Sequence, residues 1–347
     1  MKARSPKSSV TMEDIARTTR LSKMTVSRAL TGNGYVSDKT RQRVLAAASQ
    51  LNYEFHALAS HLSRNRTGLV AMVTSFEGLV GSHYFGRIVE GVQAAFNPFN
   101  YHMMLIDSRS ENFDDGEKCA RLYHQRRVDG LIVVAPDAGE KYVATFRDLS
   151  VPLIFIGHTP PNSDVSCVQV DNTGGIGKAV AHLIQLGHAQ IAFLAGPSDV
   201  TDAAEREEGF RAAMKKANLP VLEEWILRGK FHTRTSFDVC VAALSKKRRP
   251  TALVCANDLM AFGAVDAARS LGLSVPGDLS IAGFDDVREA LPASLTTVKQ
   301  PIFQLGKAAG DFVLKEVYEP EHRRVVRERL ATQLIVRGST SAPAPKK

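Results

Sequence analysis

From Gly68 onward the sequence alternates short apolar runs with longer helical stretches, and this alternation constrains the fold more than any other feature. Leu69–Val73, Met103–Asp107, Gly130–Val134, Leu153–Ile156, Ile191–Leu194, Ala252–Cys255 and Leu279–Ala282 read as strands. Between them Tyr84–Phe96, Glu117–Gln125, Gly175–Leu186, Glu205–Ala217 and Leu259–Leu271 read as helices. Near-continuous apolar strands separated by helices imply parallel sheets covered on both faces. The extent suits two doubly wound units, residues 67–338 together. A ligand cleft is then expected between them, beyond the carboxyl ends of the strands.

Charge is divided just as unevenly. Residues 1–66 carry 12 Lys and Arg against 4 Asp and Glu, which accounts for the whole formal charge of +8 and leaves the remainder balanced. A small basic module on a large neutral body suits a phosphate partner, because neutralised phosphates release counterions. No apolar run reaches the ~18 residues a membrane helix needs. The basic start (Lys2, Arg4, Lys7) leads into Thr11, Glu13 and Asp14 instead of an apolar segment, so no secretory signal is expected. Cys119, Cys167, Cys240 and Cys255 are scattered without a CxxC pair, which reads as buried thiols in a reducing cytoplasm.

Within the basic module, residues 1–10 read as a disordered arm. Thr11 with Asp14 forms a capping box for a helix over Met12–Thr18. Ser22 caps a second helix, Lys23–Thr31, ending at Gly32, and Ser37 caps a third, Asp38–Leu51. This is a helix-turn-helix with a bracing helix. On the second helix Lys23, Met24, Ser27 and Arg28 share one arc, while Val26, Ala29 and Leu30 take the opposite side. A recognition helix needs that division, because slender donors and acceptors must reach base edges in the major groove. Arg28 can fork onto guanine, Lys23 can contact base or phosphate, and Thr11, Ser37 and Thr40 can meet phosphate oxygens at helix starts.

The run Thr11-Met-Glu-Asp-Ile-Ala-Arg, with Leu21-Ser-Lys-Met-Thr-Val-Ser-Arg-Ala-Leu30, Val36-Ser-Asp-Lys-Thr-Arg-Gln-Arg-Val44 and Leu51-Asn-Tyr53, resembles the DNA-binding headpiece of the lactose-repressor/galactose-repressor family. The likeness continues through Asp171-Asn172, Gly187-His188, Ala192–Gly196, Arg206-x-x-Gly209-Phe210, Asn257-Asp258-x-Met260-Ala261, Val275-Pro276-x-Asp278, Gly283-Phe284-Asp285-Asp286 and Gln300-Pro301. It implies a headpiece over residues 11–55 and a body similar to periplasmic sugar-binding proteins, two subdomains closing on a small effector. Lys23, Met24 and Arg28 would read bases, with Thr25 and Ser27 near the backbone and Ser22, Tyr53 and His56 among the further DNA-binding candidates. Residues 56–66 would be a hinge helix that orders on the operator, with Leu62 wedged into the minor groove. The family often has Tyr-x-Pro-Asn where this chain reads Tyr53-Glu54-Phe55-His56.

In the body, the resemblance singles out Arg206 and Asp285 for effector binding. A guanidinium and a carboxylate facing a cleft can chelate vicinal hydroxyls or a carboxylate through charge-assisted bonds. Phe231 would stack on the ligand ring, Asn257 would add an amide contact, and Tyr84 and Phe85 would stand near the cleft mouth. His158 is a weaker candidate. Sugars, sugar acids and nucleosides all suit such a cleft.

Enzyme readings find less support. Asn172-Thr-Gly-Gly-Ile-Gly-Lys178 imitates a phosphate loop but lacks its leading glycine and closing hydroxyl residue. His182 and His188 have no carboxylate at metal-ligand spacing, and no Gly-x-Ser-x-Gly elbow occurs. No cofactor or metal is expected. The expectation is a homodimeric, cytoplasmic repressor of near-palindromic operator DNA under allosteric effector control. The alternative is a sugar-binding protein without DNA binding. Residues 339–347 show no leucine heptad and are expected as a flexible tail, favouring a dimer over a tetramer.

Overall fold

The computed structural model describes residues 10–31, 35–51, 53, 66–74, 80, 82–107, 116–134, 151–157, 165–322 and 324–345. The chain divides into two units, Met1–Thr67 and Gly68–Lys347.

The first unit contains α1 (Met12–Thr19), α2 (Lys23–Thr31) and α3 (Asp38–Gln50). The capping box forms as the sequence predicts. Thr11 N donates to Asp14 Oδ2 at 2.9 Å, and Asp14 N donates to Thr11 Oγ1 at 3.4 Å. The Thr11 hydroxyl, donating to Asp14 Oδ2 at 2.7 Å, and then Thr11 N hold the Asp14 carboxyl below its usual pKa. Arg20 closes α1 in the left-handed region (φ 51°), which turns the chain toward Ser22. Ser22 Oγ accepts from Thr25 N at 3.1 Å and Ser37 Oγ from Thr40 N at 3.4 Å, so both later helices start on hydroxyl caps. Ile15, Val26, Ala29, Val44, Ala47 and Ala48 make the small core, with Leu30, Leu51 and Tyr53 packed around it. Arg43 ties α3 to the end of α1 by donating from Nη2 to Thr19 O at 2.5 Å. The expected arm falls outside the described residues up to residue 9, as do Gly32, His56, Leu62 and nearly all of the expected hinge helix.

The second unit holds two six-stranded sheets. Its strands are β1 (Leu69–Thr74), β2 (His102–Asp107), β3 (Gly130–Val134), β4 (Leu153–Ile156), β5 (Ser166–Val170), β6 (Ile191–Ala195), β7 (Ile226–Arg228), β8 (Ala252–Cys255), β9 (Ser280–Asp285), β10 (Thr296–Lys299), β11 (Arg327–Leu330) and β12 (Gln333–Ile335). The first sheet runs β11-β5-β4-β3-β1-β2, all parallel. The second runs β12-β10-β9-β8-β6-β7, parallel except for β12. Among the described residues its helices are α4 (His83–Phe96), α5 (Gly116–His124), α6 (Asn172–Gln185), α7 (Thr201–Lys216), α8 (Thr233–Leu244), α9 (Asp258–Ser270) and α10 (Ile302–Tyr318). The fold is the one expected: a helical headpiece and a body of two doubly wound subdomains.

The chain passes between the sheets three times, at Asp171, at Gln300-Pro301 and at Ala331-Thr332. The first and third passages adjoin, since Asp171 N donates to Leu330 O at 2.9 Å. Such strand ends bring residues of both subdomains together beside one crossing region. In the first subdomain α4 and α10 meet at backbone distance. A Cβ on Gly306 would stand 2.2 Å from Ile88 O, so only glycine permits this crossing. Phe85, Ile88 and Val92 there pack with Ile302, Leu305 and Val313 over β1, β3, β4 and β5. In the second subdomain α6 to α9 sandwich β6, β8 and β9 around Phe193, Phe210 and Phe284.

The carboxyl-terminal segment departs from expectation. Instead of a flexible tail, Ser339–Ser341 are bonded into the second subdomain. Ser339 Oγ donates to Ile281 O at 2.6 Å, Thr340 Oγ1 meets His182 Nε2 at 2.9 Å, and Ser341 O meets His188 Nε2 at 2.8 Å. Small hydroxyl residues, which composition reads as linker, here satisfy the backbone at the buried start of β9 and two histidines. Cys167, Cys240 and Cys255 are buried free thiols, as expected.

Candidate functional site

The headpiece divides α2 by face. Val26 and Ala29 are buried in the core, whereas Lys23 and Arg28 are exposed and Met24 is 63% exposed. An apolar side chain that protrudes between two cations is unusual on a solvated helix and is suited to a groove carrying methyl groups and acceptors. Lys23 Nζ lies 4.0 Å from Glu13 Oε2, with both side chains largely exposed, a contact too weak to hold the lysine back from another partner. Ser27 is half-buried beside them. Ser22 and Thr25 pair their hydroxyls at 2.9 Å, as do Ser37 and Thr40, at the exposed starts of α2 and α3. Together with Thr11, these hydroxyls stand at helix amino termini, where phosphate oxygens are favoured. Tyr53 is half-buried against the core, and burial raises its hydroxyl pKa.

In the body, Arg206 and Asp285 do come together. Arg206 is 4% exposed on α7 and lies 3.8 Å from Asp285 Oδ1. Its Nε donates to Asn172 Oδ1 at 2.8 Å, its Nη1 to Ala256 O at 2.7 Å, and its guanidinium sits 4.1 Å from the centre of the Phe284 ring. Asp285 also accepts from Gln300 Nε2 at 2.5 Å. Its backbone, at φ 122°, and that of Asp286, at φ 60°, lie in the region that favours glycine. Residues held so at a cleft mark a place where surrounding contacts outweigh local strain. Tyr84, on α4 of the other subdomain, is half-buried, and its hydroxyl is kept protonated by burial, then by the charges of Asp202 and Asp285. The Tyr84 ring packs on the apolar core of the first subdomain.

Other candidates divide. Phe231 is half-buried, with φ 60°, and its ring lies so close to Gly196 that a Cβ there would meet Cζ at 2.5 Å. Phe85, by contrast, is 6% exposed in the apolar core of the first subdomain, so it packs beneath the cleft instead of standing at its mouth. Asn257 caps α9, its Oδ1 accepting from Met260 N at 2.9 Å. The phosphate-loop imitation is the first two turns or so of α6, and Lys178 Nζ is engaged with Thr332 O at 2.6 Å. His158 lies outside the described residues.

Three neighbours were not singled out from sequence. Asn172 receives Arg206 on its oxygen and donates from Nδ2 to Asp202 Oδ1 at 3.1 Å and Glu205 Oε2 at 2.9 Å. Gln300 positions Asp285. The motifs Asp171-Asn172 and Gln300-Pro301 were visible, but nothing in their spacing says that one amide meets Arg206 and the other Asp285. Asp258 is fully buried, accepting from Thr297 Oγ1 at 2.5 Å and from Val287 N at 2.9 Å, and so fixes the loop after Asp285.

Burial, reinforced by the charge on Asp285, raises the Asp258 pKa far above the carboxylate range. A raised carboxyl binds its proton more tightly in the folded state than unfolded, so its contribution is full at acid pH and is lost as pH climbs through the folded value. Stability is therefore expected to fall between pH 5 and about 8, and Asp258→Asn to flatten that slope. Urea midpoints across this range, for both proteins, test this; parallel profiles would contradict it.

Residues 11–54 match the family described as bacterial regulatory proteins, lacI family, and residues 180–340 match a periplasmic binding protein-like domain. The HTH-type transcriptional repressor PurR of Photorhabdus laumondii is 33% identical over 313 residues, covering 88% of this chain and 90% of its own. PurR of Proteus mirabilis is likewise 33% identical with the same coverage. The structure resembles the lac repressor dimer bound to operator and the anti-inducer ONPF (TM-score 0.82, 27% identity, 96% of this chain and 100% of that one). It also resembles the transcriptional regulator CelR in complex with cellobiose (TM-score 0.72, 28% identity, 95% and 99%). A helix-turn-helix headpiece, a two-sheet body and relatives alike over nearly their full length agree: the chain belongs to the LacI family of bacterial regulatory proteins.

Proposed function

We propose that this DNA-binding repressor acts as a homodimer on a near-palindromic operator, with operator affinity set by a small sugar-like effector bound between the body subdomains. The observation that carries the reading is the face of α2, with Lys23, Met24 and Arg28 exposed over a buried Val26 and Ala29. Two such headpieces related by a two-fold axis read two half-sites, so the operator mirrors the protein. Exposed Leu259 and Leu291 on the second subdomain, 40% and 70% accessible, support a partner there. No helix among the described residues is long and apolar enough to cross a membrane, and a repressor of genomic DNA works in the cytoplasm.

The effector acts by changing the closure of two subdomains joined by three passages. A coupling of about 1–3 kcal/mol gives a five- to 150-fold change in operator affinity. Asp285→Asn keeps the shape of the side chain but loses its charge. It is expected to retain operator binding and to lose the response to whichever sugar, sugar acid or nucleoside loosens or tightens the wild-type complex. Fluorescence anisotropy on operator DNA reads both quantities; an unchanged response would remove Asp285 from the effector site.

A further inference from the structure

We infer that the cleft takes a polyhydroxylated ligand bearing a protonated amine, an amino sugar or amino polyol, whose ammonium is held by Asp202 and Glu205. This rests on the proposed effector cleft and narrows its chemistry.

Asp202 and Glu205 sit in the first turns of α7 and are half-buried, accessible where Arg206 and Asp285 are not. Asn172 Nδ2 spends its two hydrogens on them, one each. Asp202 Oδ2 and Glu205 Oε1 then accept from no described residue. Through the Asn172 amide, both carboxylates stand one side chain away from Arg206 and its partner Asp285. Arg206 is committed to Asn172, Ala256 and Asp285; burial raises the Glu205 pKa, and Arg329, exposed on β11, offsets this only in part. Three carboxylates thus meet two guanidinium groups, one of them largely solvated.

A second, independent observation points the same way. Gln300 is 4% exposed, binds Asp285 through Nε2, and leaves its buried Oε1 without a partner among the described residues. A buried acceptor without a donor is costly. The orphaned oxygen beside Asp285 is an acceptor, and its complement is a donor on the ligand. Hydroxyl groups supply donors, and an ammonium also supplies the missing charge through charge-assisted hydrogen bonds. A carboxylate or phosphate at this wall meets two like charges.

The test compares matched hexoses on the full chain by calorimetry and thermal shift: glucosamine, galactosamine and mannosamine against the parent hexoses and the corresponding uronates. At least one amine form is expected to bind about tenfold or more tightly than its parent, as one hydrogen bond to a charged group allows, with the uronates weaker still. In Asp202→Asn, and further in Asp202→Asn with Glu205→Gln, that gap closes while operator binding by the same proteins persists, which shows them folded. A neutral or acidic form that binds as tightly as the amine overturns the inference, as does an amine preference that survives both substitutions, or no amine form binding at millimolar concentration. If such a neutral or acidic sugar also shifts operator affinity, the effector cleft stands and the amine alone falls. If an amino sugar binds as described but leaves operator affinity unmoved, the ligand class stands and the effector role falls.

Discussion

Arg206→Leu is expected to cost the body about 3–5 kcal/mol, because removing one partner of a buried ion pair leaves the other charge uncompensated. Asp285 would retain only Gln300, while Asn172 Oδ1 and Ala256 O would each lose a donor inside a dry site. The stacking of the guanidinium over Phe284 would go as well. Against a typical total of roughly 5–15 kcal/mol, this is a large fraction. Arg206→Lys preserves the charge but not the planar fork, and should fall between the two. Urea unfolding followed by circular dichroism measures the effect. A midpoint shift below the equivalent of about 1 kcal/mol, the scale of an exposed pair, would mean that the pair is weakly coupled to the fold.

Arg28→Ala is expected to remove about 1–3 kcal/mol of base discrimination in each half-site, about five- to 150-fold, and the loss compounds across both halves of a dimer. The loss should appear at one base pair per half-site, which becomes permissive in the variant. Exposed, and opposite buried Ala29 on α2, the arginine contributes little to the headpiece core, so stability should stay unchanged. Anisotropy titrations over operators substituted at each position distinguish base reading from phosphate contact. A uniform weakening at every sequence, with a shallower salt dependence, would assign Arg28 to the backbone.

What could be read from sequence follows the range of the interactions involved. The capping box at Thr11 and Asp14, the two hydroxyl caps and the two faces of α2 are local and were all legible. Buried strands such as β3 and β4 announce themselves as apolar runs. β10 to β12 do not: Arg327–Leu330 is a polar, mostly exposed edge strand, placed by its pairing with β5 and by Leu330 against the core. α10 was missed because Gly306 and Gly310 weaken its helical signal, and they are there for the close crossing with α4. In the cleft, Arg206 and Asp285 were found through resemblance, and their meeting is a tertiary fact. Asn257 carried the signature of a helix cap at the start of α9, which the ligand reading overlooked. Asn172, Asp202 and Glu205 belong to two helices whose contact no local pattern encodes. The left-handed backbone of Asp285 and Asp286 has no sequence signal, since both are acidic residues where glycine would be easier.

The central claim is that exposed α2 residues of two identical headpieces select a specific duplex. Full-length protein can be used to retain fragments from random-sequence DNA over several rounds of binding, followed by sequencing. The account predicts enrichment of one motif with two inverted half-sites, and loss of preference at a single symmetric pair of positions when Arg28→Ala is used instead. Recovery of sequences without a shared motif, or of a motif without inverted symmetry, would contradict it.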